Sequence, residues 1–578
     1  MKTFRVWATV PKKVELVFNG NIFPMARDDH GWWMAEVSQA TTGDSYGFIL
    51  DGAGPFPDPR SPSQPEGVHK LSRLVDHDDF TWTDNNFQAP QLSSAVIYEL
   101  HIGTFTPRGT FLSTIERLEH LVTLGVTHVE LMPVAEFDGG HGWGYDSVDL
   151  FAPHHAYGSP ADLKKLVAAC HAHGLAVILD VVYNHLGPAG NYLAKFAPYF
   201  TKKFSPVWGE GINFDGADSD EVRRFFCDNA LMWLRDYHFD GLRLDAVHGI
   251  LDTSATHILE QLKIEVEKLA EQLGRRLVLM PESDLNDPRL LWPRERGGYG
   301  LDAQWSDDFH HALHTVLTGE LTGYYSDFGK ISDIAKALRG AFVYDGKYSA
   351  YRRRVHGQPA EGLQGHRFLG YLQNHDQIGN RARGERSRQL MSLGKLKIGA
   401  ALVFTSPFLP LLFQGEEWGA GTPFFYFTDY QEPELAGAVR EGRCREFAVF
   451  GWKPEDTADP QARETFEQSK LNWDEIAKSP HAEILGWYKK LIQLRRSEPD
   501  ILDGDLKNVQ AKFDEQNRWL VVERKSVSLA CNFAEFPQRL PLRQGAQKIL
   551  MVSEKETLII GGFIDLPAES VAVLKSVQ

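Results

Sequence analysis

Cysteine is scarce in this chain. Only four cysteines occur among 578 residues, and no two of them are separated by two residues. They are Cys170, Cys227, Cys444 and Cys531. Scattered cysteines without paired spacing argue against a disulfide framework and against a cysteine-based metal centre. We therefore expect buried free thiols and a cytoplasmic protein.

Long apolar runs and basic runs are also missing. No stretch approaches the roughly 18 consecutive apolar residues of a membrane span. The segment from Met1 to Ala8 lacks the apolar core of a signal peptide. Formal net charge is −16 at pH 7, and an acidic surface repels polyanions. These absences predict no nucleic acid, no membrane, and a neutral or cationic partner.

Short β-runs separated by turn residues occupy both ends of the chain. Near the start they include Val14 to Phe18 and Trp32 to Val37, and near the end Trp519 to Glu523 and Ser528 to Phe533. Short strands separated by turn residues are typical of antiparallel β domains. This pattern predicts an N-terminal β-sandwich over residues 1–90, resembling a carbohydrate-binding module, and a C-terminal antiparallel β domain over residues 496–578.

Between these ends, β-runs alternate with helical patterns eight times. The predicted strands are Val96–Ile102, Val126–Leu131, Leu175–Asp180, Asp240–Asp245, Arg276–Pro281, Leu301–Trp305, Arg367–Gln373 and Phe408–Phe413. Eight strand–helix repeats indicate a closed parallel (β/α)8 barrel. The predicted fold is therefore α/β, with the barrel over residues 91–495.

The fourth predicted strand carries unusual charge. Asp240, Arg243, Asp245 and His248 interrupt an otherwise apolar run. Unpaired buried charges are expensive, so the strand must pair them. Two interpretations remain open: a structural ion pair, or a strand whose end opens into a site.

Four polar clusters stand at predicted strand ends. They are Asp180-Val-Val-Tyr-Asn-His185, Arg243-Leu-Asp-Ala-Val-His248, Pro281-Glu-Ser-Asp284 and Gln373-Asn-His-Asp-Gln377. In a closed barrel the carboxyl ends of all strands surround one opening. Asp245, Glu282 and Asp376 should therefore meet there, although any single cluster could instead cap a neighbouring helix.

Three carboxyl groups in one opening repel, so the pKa of at least one should rise. Arg243 lies two residues before Asp245, on the same strand face, and could keep Asp245 ionised. One protonated and one ionised carboxyl group is the requirement of glycoside hydrolysis. A metal site of His185, His248 and His375 is less favoured, because the three lack short ligand spacing.

At these clusters the sequence strongly resembles the α-amylase family of glycoside hydrolases. The resemblance implies retaining chemistry on an α-glucosidic bond. It makes Asp245 the nucleophile, Glu282 the general acid/base, and Asp376 the carboxylate that stabilises the transition state. Pro281, which fits a strand's end better than its middle, is compatible with Glu282 at the rim.

A second group of motifs resembles the family members that cleave the α-1,4 bond next to a terminal trehalose unit and release trehalose. These motifs include Gln304 to His311, His375 to Asn380 and Ser469 to Trp473. The implied substrate is the neutral oligosaccharide maltooligosyltrehalose. The predicted substrate-binding residues are Trp143, Tyr145, Asp146, His185, Arg243, His248, Asp307, Asp308, His311, His375, Gln377 and Asn380.

Two alternatives remain at this point. A glycogen-branching or debranching enzyme would share the N-terminal domain, the barrel and the chemistry. A non-catalytic glucan-binding protein on the same barrel would lack a catalytic carboxylate, whereas all three are present. Calcium-binding relatives use the asparagine matching Asn184, but no further acidic set accompanies it here. We therefore predict no required metal, no cofactor and a monomer.

Overall fold

Antiparallel sheets form the first part of the chain. The computed structural model describes residues 1–204, 209–448, 451–453 and 456–577. Its first strands are β1 (Lys2–Trp7), β2 (Val14–Phe18), β3 (Asn21–Pro24), β4 (Ala26–Arg27), β5 (Trp32–Val37), β6 (Ser45–Leu50), β7 (Ala53–Phe56) and β8 (Ser72–Arg73). One sheet has the order β1-β5-β4 and the other β3-β2-β6-β7, with β8 also paired to β6. In β1, Phe4 and Val6 are buried while Thr3 and Arg5 are exposed, as expected for a half-buried strand.

Eight parallel strands form the central sheet. In chain order the strands of this region are β9 (Ile97–Leu100), β10 (His128–Leu131), β11 (Ala135–Glu136), β12 (Asp149–Pro153), β13 (Ala176–Val181), β14 (Phe200–Thr201), β15 (Gly211–Ile212), β16 (Gly241–Leu244), β17 (Val278–Pro281), β18 (Gln304–Trp305), β19 (Lys347–Ser349), β20 (Arg354–His356), β21 (Phe368–Tyr371) and β22 (Leu409–Phe413). The central sheet has the order β17-β16-β13-β10-β9-β22-β21-β18. Its two end strands approach each other, where the Asp302 amide donates to the Leu279 carbonyl at 2.9 Å. The predicted barrel of eight strands is confirmed, and every predicted strand overlaps an observed one.

Helices connect these strands and cover the barrel. They are α1 (Ile102–Phe105), α2 (Phe111–Ile115), α3 (Leu118–Leu124), α4 (Pro160–Ala172), α5 (Leu193–Phe196), α6 (Ser219–Asp236), α7 (Ile258–Leu273), α8 (Asp307–Thr318), α9 (Ile331–Gly340), α10 (His375–Gly379), α11 (Ser387–Leu390), α12 (Leu393–Thr405), α13 (Pro433–Ala448), α14 (Arg463–Gln468) and α15 (His481–Ser497). Helix α4 shows how the sequence sets a boundary. Ser159 caps it by accepting from the Asp162 amide, and Pro160 occupies its first turn.

The chain ends in two further antiparallel sheets. Their strands are β23 (Val509–Asp514), β24 (Trp519–Arg524), β25 (Val527–Asn532), β26 (Gln538–Pro541), β27 (Gln547–Val552), β28 (Leu558–Ile560), β29 (Phe563–Leu566) and β30 (Ser570–Ser576). The orders are β23-β24-β25-β30-β27 and β26-β29-β28. The predicted C-terminal β structure is confirmed.

The hydrophobic core does not divide the chain. One buried cluster extends from Phe4 through the barrel walls to Val573. A separate cluster, which includes Ile97, Ile178 and Trp305, fills the barrel interior. Because packing is continuous, the boundaries 1–90, 91–495 and 496–578 stay a prediction. Of the helices in the described ranges, none combines the length and apolar content needed to cross a bilayer.

Asp240, at the start of the charged fourth strand, has a structural role. His171 of α4 places Nε2 2.9 Å from Asp240 and Nδ1 2.6 Å from Asp84, a residue of the segment leading into the barrel. Arg275 also donates to Asp240 at 3.0 Å. Burial opposes charge on His171, but its hydrogen bonds to the Asp240 and Asp84 carboxylates raise its pKa. This buried cluster connects the segment that precedes the barrel to the end of the barrel at which β16 begins.

We expect Asp84→Asn to lower the free energy of unfolding by about 3 kcal/mol, since it removes one partner of a buried ionic pair. The folded-state pKa of His171 is raised. Its stabilisation is therefore fully present below its unfolded pKa of about 6.5 and is lost as pH rises through the folded pKa. Urea unfolding at pH 6 and pH 9 measures this, and the loss should be larger at pH 6. The exposed substitution Glu119→Gln is the control, and an equal loss at both pH values would contradict the assignment.

Candidate active site

The register of the barrel strands places charged side chains side by side in the interior. Glu130 of β10 lies opposite Glu99 of β9. Asp180 of β13 lies opposite Arg243 of β16. All four are less than 3% exposed. Because strand side chains alternate between faces, residues such as Leu242 and Leu244 pack outward against the helices while these charges point inward.

Arg243 connects the acidic groups of the site. Its Nη1 donates to both oxygens of Asp180, at 2.9 and 2.8 Å, and to Asp245 at 2.7 Å. Its Nη2 lies 3.4 Å from Glu282 Oε2. The guanidinium also lies 4.6 Å from the centre of the Trp305 ring. Burial alone would lower the pKa of Arg243, but the surrounding negative charges raise it well above its ordinary value, so it is a permanent cation.

Asp245 follows β16 directly and is held from two sides. Arg243 donates to one carboxylate oxygen, and the Asn184 side chain donates to the other at 2.8 Å. Burial favours the protonated form, but the charges of Arg243 and His185, together with these hydrogen bonds, lower the pKa of Asp245. The group is therefore an ionised carboxylate at neutral pH, suited to act as a nucleophile.

Glu282 follows Pro281, the last residue of β17, and its amide donates to the Leu244 carbonyl at 2.9 Å. The Ala246 amide donates to Glu282 Oε2 at 2.7 Å. Burial raises the pKa of Glu282, Arg243 lowers it, and the negative charges of Asp245 and Asp376 raise it again, for a net increase. Two carboxyl groups that share one guanidinium therefore have pKa values displaced in opposite directions.

Asp376 enters the site from α10, beyond the end of β21. Asn374 caps this short helix by accepting from the Asp376 amide at 2.9 Å. The Asp376 side chain is 41% exposed and lies 3.4 Å from His375 Nε2. Asn380 donates to its other oxygen at 3.4 Å. Asp376 is thus the most accessible of the three carboxyl groups.

A cavity of about 600 Å³ opens over the three carboxyl groups. Its lining residues are Trp143, Tyr145, Asp146, His185, Asp245, Ala246, His248, Glu282, His375, Asp376, Asn380, Tyr426, Val439, Gly442, Arg443 and Glu446. Ten of the predicted site residues line this cavity: Trp143, Tyr145, Asp146, His185, Asp245, His248, Glu282, His375, Asp376 and Asn380. Arg243 lies beneath it.

Three aromatic rings support one wall of the cavity. The Tyr145 ring stacks on His375 at 5.2 Å, and the Trp143 ring meets His375 edge-on at 5.4 Å. Trp143 is fixed by donating to the Phe425 carbonyl at 2.8 Å. Burial raises the pKa of Asp146, which stands on the same loop.

Asp307 and Asp308 begin α8 but point to different surroundings. Asp307 accepts from the Tyr371 hydroxyl. Burial and the negative charge of Glu282 raise the pKa of Asp307 to about 8, so Asp307 is a neutral acid at pH 7, and it is not among the residues that line the cavity. Asp308 instead accepts from the Val343 and Tyr344 amides at 2.6 and 2.7 Å and from Asn286 at 2.8 Å.

His311 and Gln377 are likewise absent from the cavity lining. The His311 ring packs against Tyr324 and Phe328, at 4.9 and 5.3 Å. Gln377 accepts from the Asn374 amide at 3.0 Å and so completes the cap of α10. Among the predicted substrate contacts, Asp308, His311 and Gln377 are therefore engaged by the protein itself.

The chain is similar to known proteins over its whole length. The family described as alpha amylase, catalytic domain, matches residues 73–205. A malto-oligosyltrehalose trehalohydrolase of Rhizobium sp. (strain M-11) is 47% identical over 99% of this chain and 97% of its own. A malto-oligosyltrehalose trehalohydrolase of Mycobacterium tuberculosis is 46% identical over the whole of both chains. This chain belongs to the malto-oligosyltrehalose trehalohydrolase family.

Two further comparisons bear on the fold and the alternatives. A crystal structure from Salmonella typhimurium that carries an alpha-amylase name has a TM-score of 0.92 and 38% identity, covering 99% of this chain and 97% of its own. A 1,4-alpha-glucan branching enzyme of Pseudoalteromonas atlantica is 29% identical over only 52% of this chain and 47% of its own. The trehalohydrolase relatives match the whole chain, whereas the branching enzyme matches about half.

Several site residues of this family member were not among the predicted ones. Asp180 and Asn184 lie inside a motif that the sequence displays, but only the structure shows them holding Arg243 and Asp245. Glu99 stands inside a buried β-run, and an acid in such a run is a signal that could have found it. Arg443 of α13 comes from an insertion after the eighth strand. It donates to Asn380 at 2.9 Å and lies 4.2 Å from the centre of the Tyr426 ring.

One group of side chains in the described ranges has donor atoms close enough for a metal ion. It comprises Glu136, His154 and His155, whose donor atoms lie within 4.8 Å of one another. Glu136 belongs to β11 and the two histidines follow the end of β12. All three lie outside the cavity lining, and His155 already contacts Glu136 at 2.7 Å. His185, His248 and His375 form no such group in the part of the chain that the structure describes. The absence of a required metal stays a prediction.

The adjacent residues Asp307 and Asp308 give a matched test. We expect Asp307→Asn to change kcat or KM while the melting temperature stays within about 2 °C, since asparagine resembles the neutral acid in shape. We expect Asp308→Asn to lower the melting temperature by several degrees and the free energy of unfolding by about 1–3 kcal/mol. The reason is that it replaces a carboxylate that accepts from two buried amides. The measurements are thermal unfolding and turnover of both variants. A stability loss in Asp307→Asn with a purely catalytic effect in Asp308→Asn would contradict the surroundings assigned to the two residues.

Proposed function

We propose that this chain is a retaining glycoside hydrolase that cleaves the α-1,4-glucosidic bond next to the terminal trehalose of maltooligosyltrehalose and releases trehalose. The observation that supports the chemistry is the pair Asp245 and Glu282 around Arg243, whose pKa values are displaced in opposite directions. Full-length similarity to malto-oligosyltrehalose trehalohydrolases supports the choice of bond.

In the first displacement, Glu282 donates its proton to the glycosidic oxygen and trehalose leaves. The Asp245 carboxylate attacks the anomeric carbon and forms a covalent glycosyl-enzyme. Arg243 and Asn184 hold Asp245 ionised and oriented for this attack. For a retaining mechanism the two carboxyl groups should lie about 5–5.5 Å apart.

In the second displacement, Glu282 acts as the general base. Having lost its proton, it takes one from water, which attacks the anomeric carbon and releases Asp245 together with the malto-oligosaccharide. The proton returns Glu282 to its initial state. We assign Asp376 to stabilisation of positive charge on the sugar ring and to binding of hydroxyl groups, since its carboxyl group is exposed to the cavity.

The remaining cavity residues are proposed substrate contacts. Trp143 and Tyr145 offer aromatic faces, while His185, His248, His375 and Asn380 offer hydrogen-bonding groups. Asp307 does not line the cavity and accepts from Tyr371, but it is retained as a proposed contact because the negative charges of Glu282 and Asp376 act on its carboxyl group. Asp308, His311 and Gln377 are not retained, because the protein itself engages them. We also propose that the protein acts in the cytoplasm as a monomer on a neutral oligosaccharide.

A glycogen-branching or debranching activity is the second candidate, since it would use the same three carboxyl groups. The branching-enzyme similarity covers about half of this chain, whereas trehalohydrolase similarity covers all of it. The full-length similarity favours trehalose release.

The product identifies the activity. Purified protein is incubated with maltotriosyltrehalose and, separately, with a maltooligosaccharide of similar length, and free trehalose and reducing ends are measured. We expect trehalose release from the first and slow attack on the second. Asp245→Asn should lower kcat by about 10³-fold or more, because it removes the nucleophile. Unchanged turnover in this variant, or a rearranged long glucan without trehalose, would contradict the proposal.

The pH profile tests how the two carboxyl groups are tuned. Activity requires Asp245 ionised and Glu282 protonated, so kcat/KM should rise through the lowered pKa of Asp245 and fall through the raised pKa of Glu282. Asn184→Ala removes a hydrogen bond to ionised Asp245 and should move the acidic limb to higher pH. The alkaline limb should stay in place.

The matched control for this profile is Asn508→Ala. Asn508 also donates to a carboxylate, Asp503, at 2.7 Å, but in the C-terminal part of the chain. Its profile should coincide with that of the wild type. If Asn184→Ala leaves the acidic limb unmoved, Asn184 does not tune Asp245.

A further inference from the structure

Glu99 lies buried beneath the cavity and takes no part in the mechanism described above. It belongs to β9 and is 1% exposed. One carboxylate oxygen contacts His375 Nδ1, and the other accepts from the His375 amide at 3.2 Å. The same carboxylate therefore fixes both the ring and the backbone of the residue that precedes Asp376.

The hydrogen bonds around His375 determine where its protons are. Burial raises the pKa of Asp180 to about 7, but Arg243 donates to both of its oxygens, so Asp180 acts as an acceptor. The Tyr145 hydroxyl donates its only proton to Asp180 at 2.7 Å and lies 2.8 Å from His375 Nε2. Tyr145 must then accept from Nε2, which requires an N–H there.

The other ring nitrogen also requires a proton. Glu99, as a carboxylate, can only accept from His375 Nδ1. An N–H on each nitrogen makes His375 an imidazolium. Burial disfavours this charge, but the negative charges of Asp376 and Glu99 outweigh it and raise the pKa of His375 to about 9. The titratable groups that face the ring from the surrounding elements are Glu99, His101, Glu130, Tyr145, Asp180, Arg243 and Asp376.

We propose that Glu99 is a positioning residue that keeps His375 in the imidazolium form, with its Nε2–H directed to Tyr145 and beside Asp376. The consequence is a positive charge 3.4 Å from the carboxyl group of Asp376, the residue assigned above to stabilising the transition state. The same ring is held rigid against Tyr145, so the wall of the cavity keeps its shape when substrate enters. This inference rests on the proposed hydrolase function, because turnover is one of its readouts.

Glu130 provides a matched control within the same layer. It lies opposite Glu99 in the strand register and is equally buried. Neither of its carboxyl oxygens has a hydrogen-bond partner among the described residues. Burial and the negative charge of Glu99 raise the pKa of Glu130 well above its ordinary value, so Glu130→Gln replaces a neutral acid by an amide at the same depth, without removing a charge or breaking a contact to His375.

The first measurement is the protonation of His375 itself. Protein labelled with ¹⁵N-histidine is titrated by NMR, and the ring signal that disappears in His375→Asn is assigned to His375. We expect its pKa near 9 in the wild type and in Glu130→Gln, and lower by at least about one unit in Glu99→Gln. An unchanged pKa in Glu99→Gln overturns the proposal.

The second measurement is turnover as a function of pH. At pH 5 His375 carries a proton in every variant, so Glu99→Gln should retain most of the wild-type kcat. If the pKa of His375 falls from about 9 to about 8, about half of the variant keeps the imidazolium at pH 8, so the ratio of variant to wild-type kcat should be about twofold lower than at pH 5, and lower still for a larger shift. Glu130→Gln should show a constant ratio. A ratio for Glu99→Gln that does not change with pH indicates a merely structural role and overturns the proposal.

A double-mutant cycle separates action through His375 from a general effect. In the His375→Asn background, adding Glu99→Gln should change kcat by less than about twofold, because the residue through which Glu99 acts is already gone. A full additive loss overturns the proposal. If Glu99→Gln does not fold, Glu99→Asp replaces it. This variant retains the negative charge and should keep the wild-type pH dependence of kcat. A shifted pH dependence in Glu99→Asp would also overturn the proposal.

Failure of the proposed function gives a different pattern. If the wild type releases no trehalose, the function is wrong, yet the NMR titration still tests the link between Glu99 and His375. If the wild type releases trehalose and the titration shows no difference between the two glutamine variants, only the role of Glu99 is wrong.

Discussion

The site depends on one buried cation, Arg243. A guanidinium without solvent at the floor of a barrel requires negative partners, and the structure supplies Asp180, Asp245 and Glu282 around it. Its contacts are unequal: Asp245 lies at 2.7 Å and Glu282 at 3.4 Å. The closer carboxyl group is held ionised, while burial keeps the pKa of the more distant one raised. A single charge thus separates the two carboxyl groups into nucleophile and acid.

Asp180 shows why the cation cannot be replaced by a simple point charge. It occupies both carboxylate oxygens with Arg243 and still accepts from Tyr145. The planar guanidinium can serve several carboxylates in fixed directions, which a lysine ammonium does not do. The Tyr145 hydroxyl in turn contacts His375 Nε2, and Glu99 contacts Nδ1 on the other side of the same ring. The layer of charges is therefore one connected network, in which each group restricts the proton positions of the next.

The two ends of the fourth barrel strand have different tasks. Asp240, at its beginning, binds His171 and Arg275 and joins the barrel to the segment that precedes it. Asp245, at its end, faces the cavity. Both interpretations of the charged strand are thus realised, one at each end. This division agrees with the general behaviour of such barrels, where one face serves stability and the other carries the chemistry.

The sequence by itself determined the eight strands, the order in which they close, and the meeting of Asp245, Glu282 and Asp376, because alternation and strand ends are local signals that barrel topology converts into proximity. The tertiary structure alone decided which neighbours each charge has. Asp307 and Asp308 are adjacent in sequence, yet the turn of α8 directs one to the carboxyl groups and the other to the Val343 and Tyr344 amides. Glu99 meets His375, and Arg443 of α13 reaches Asn380, across separations that no local pattern encodes, since such contacts follow from packing of the whole chain.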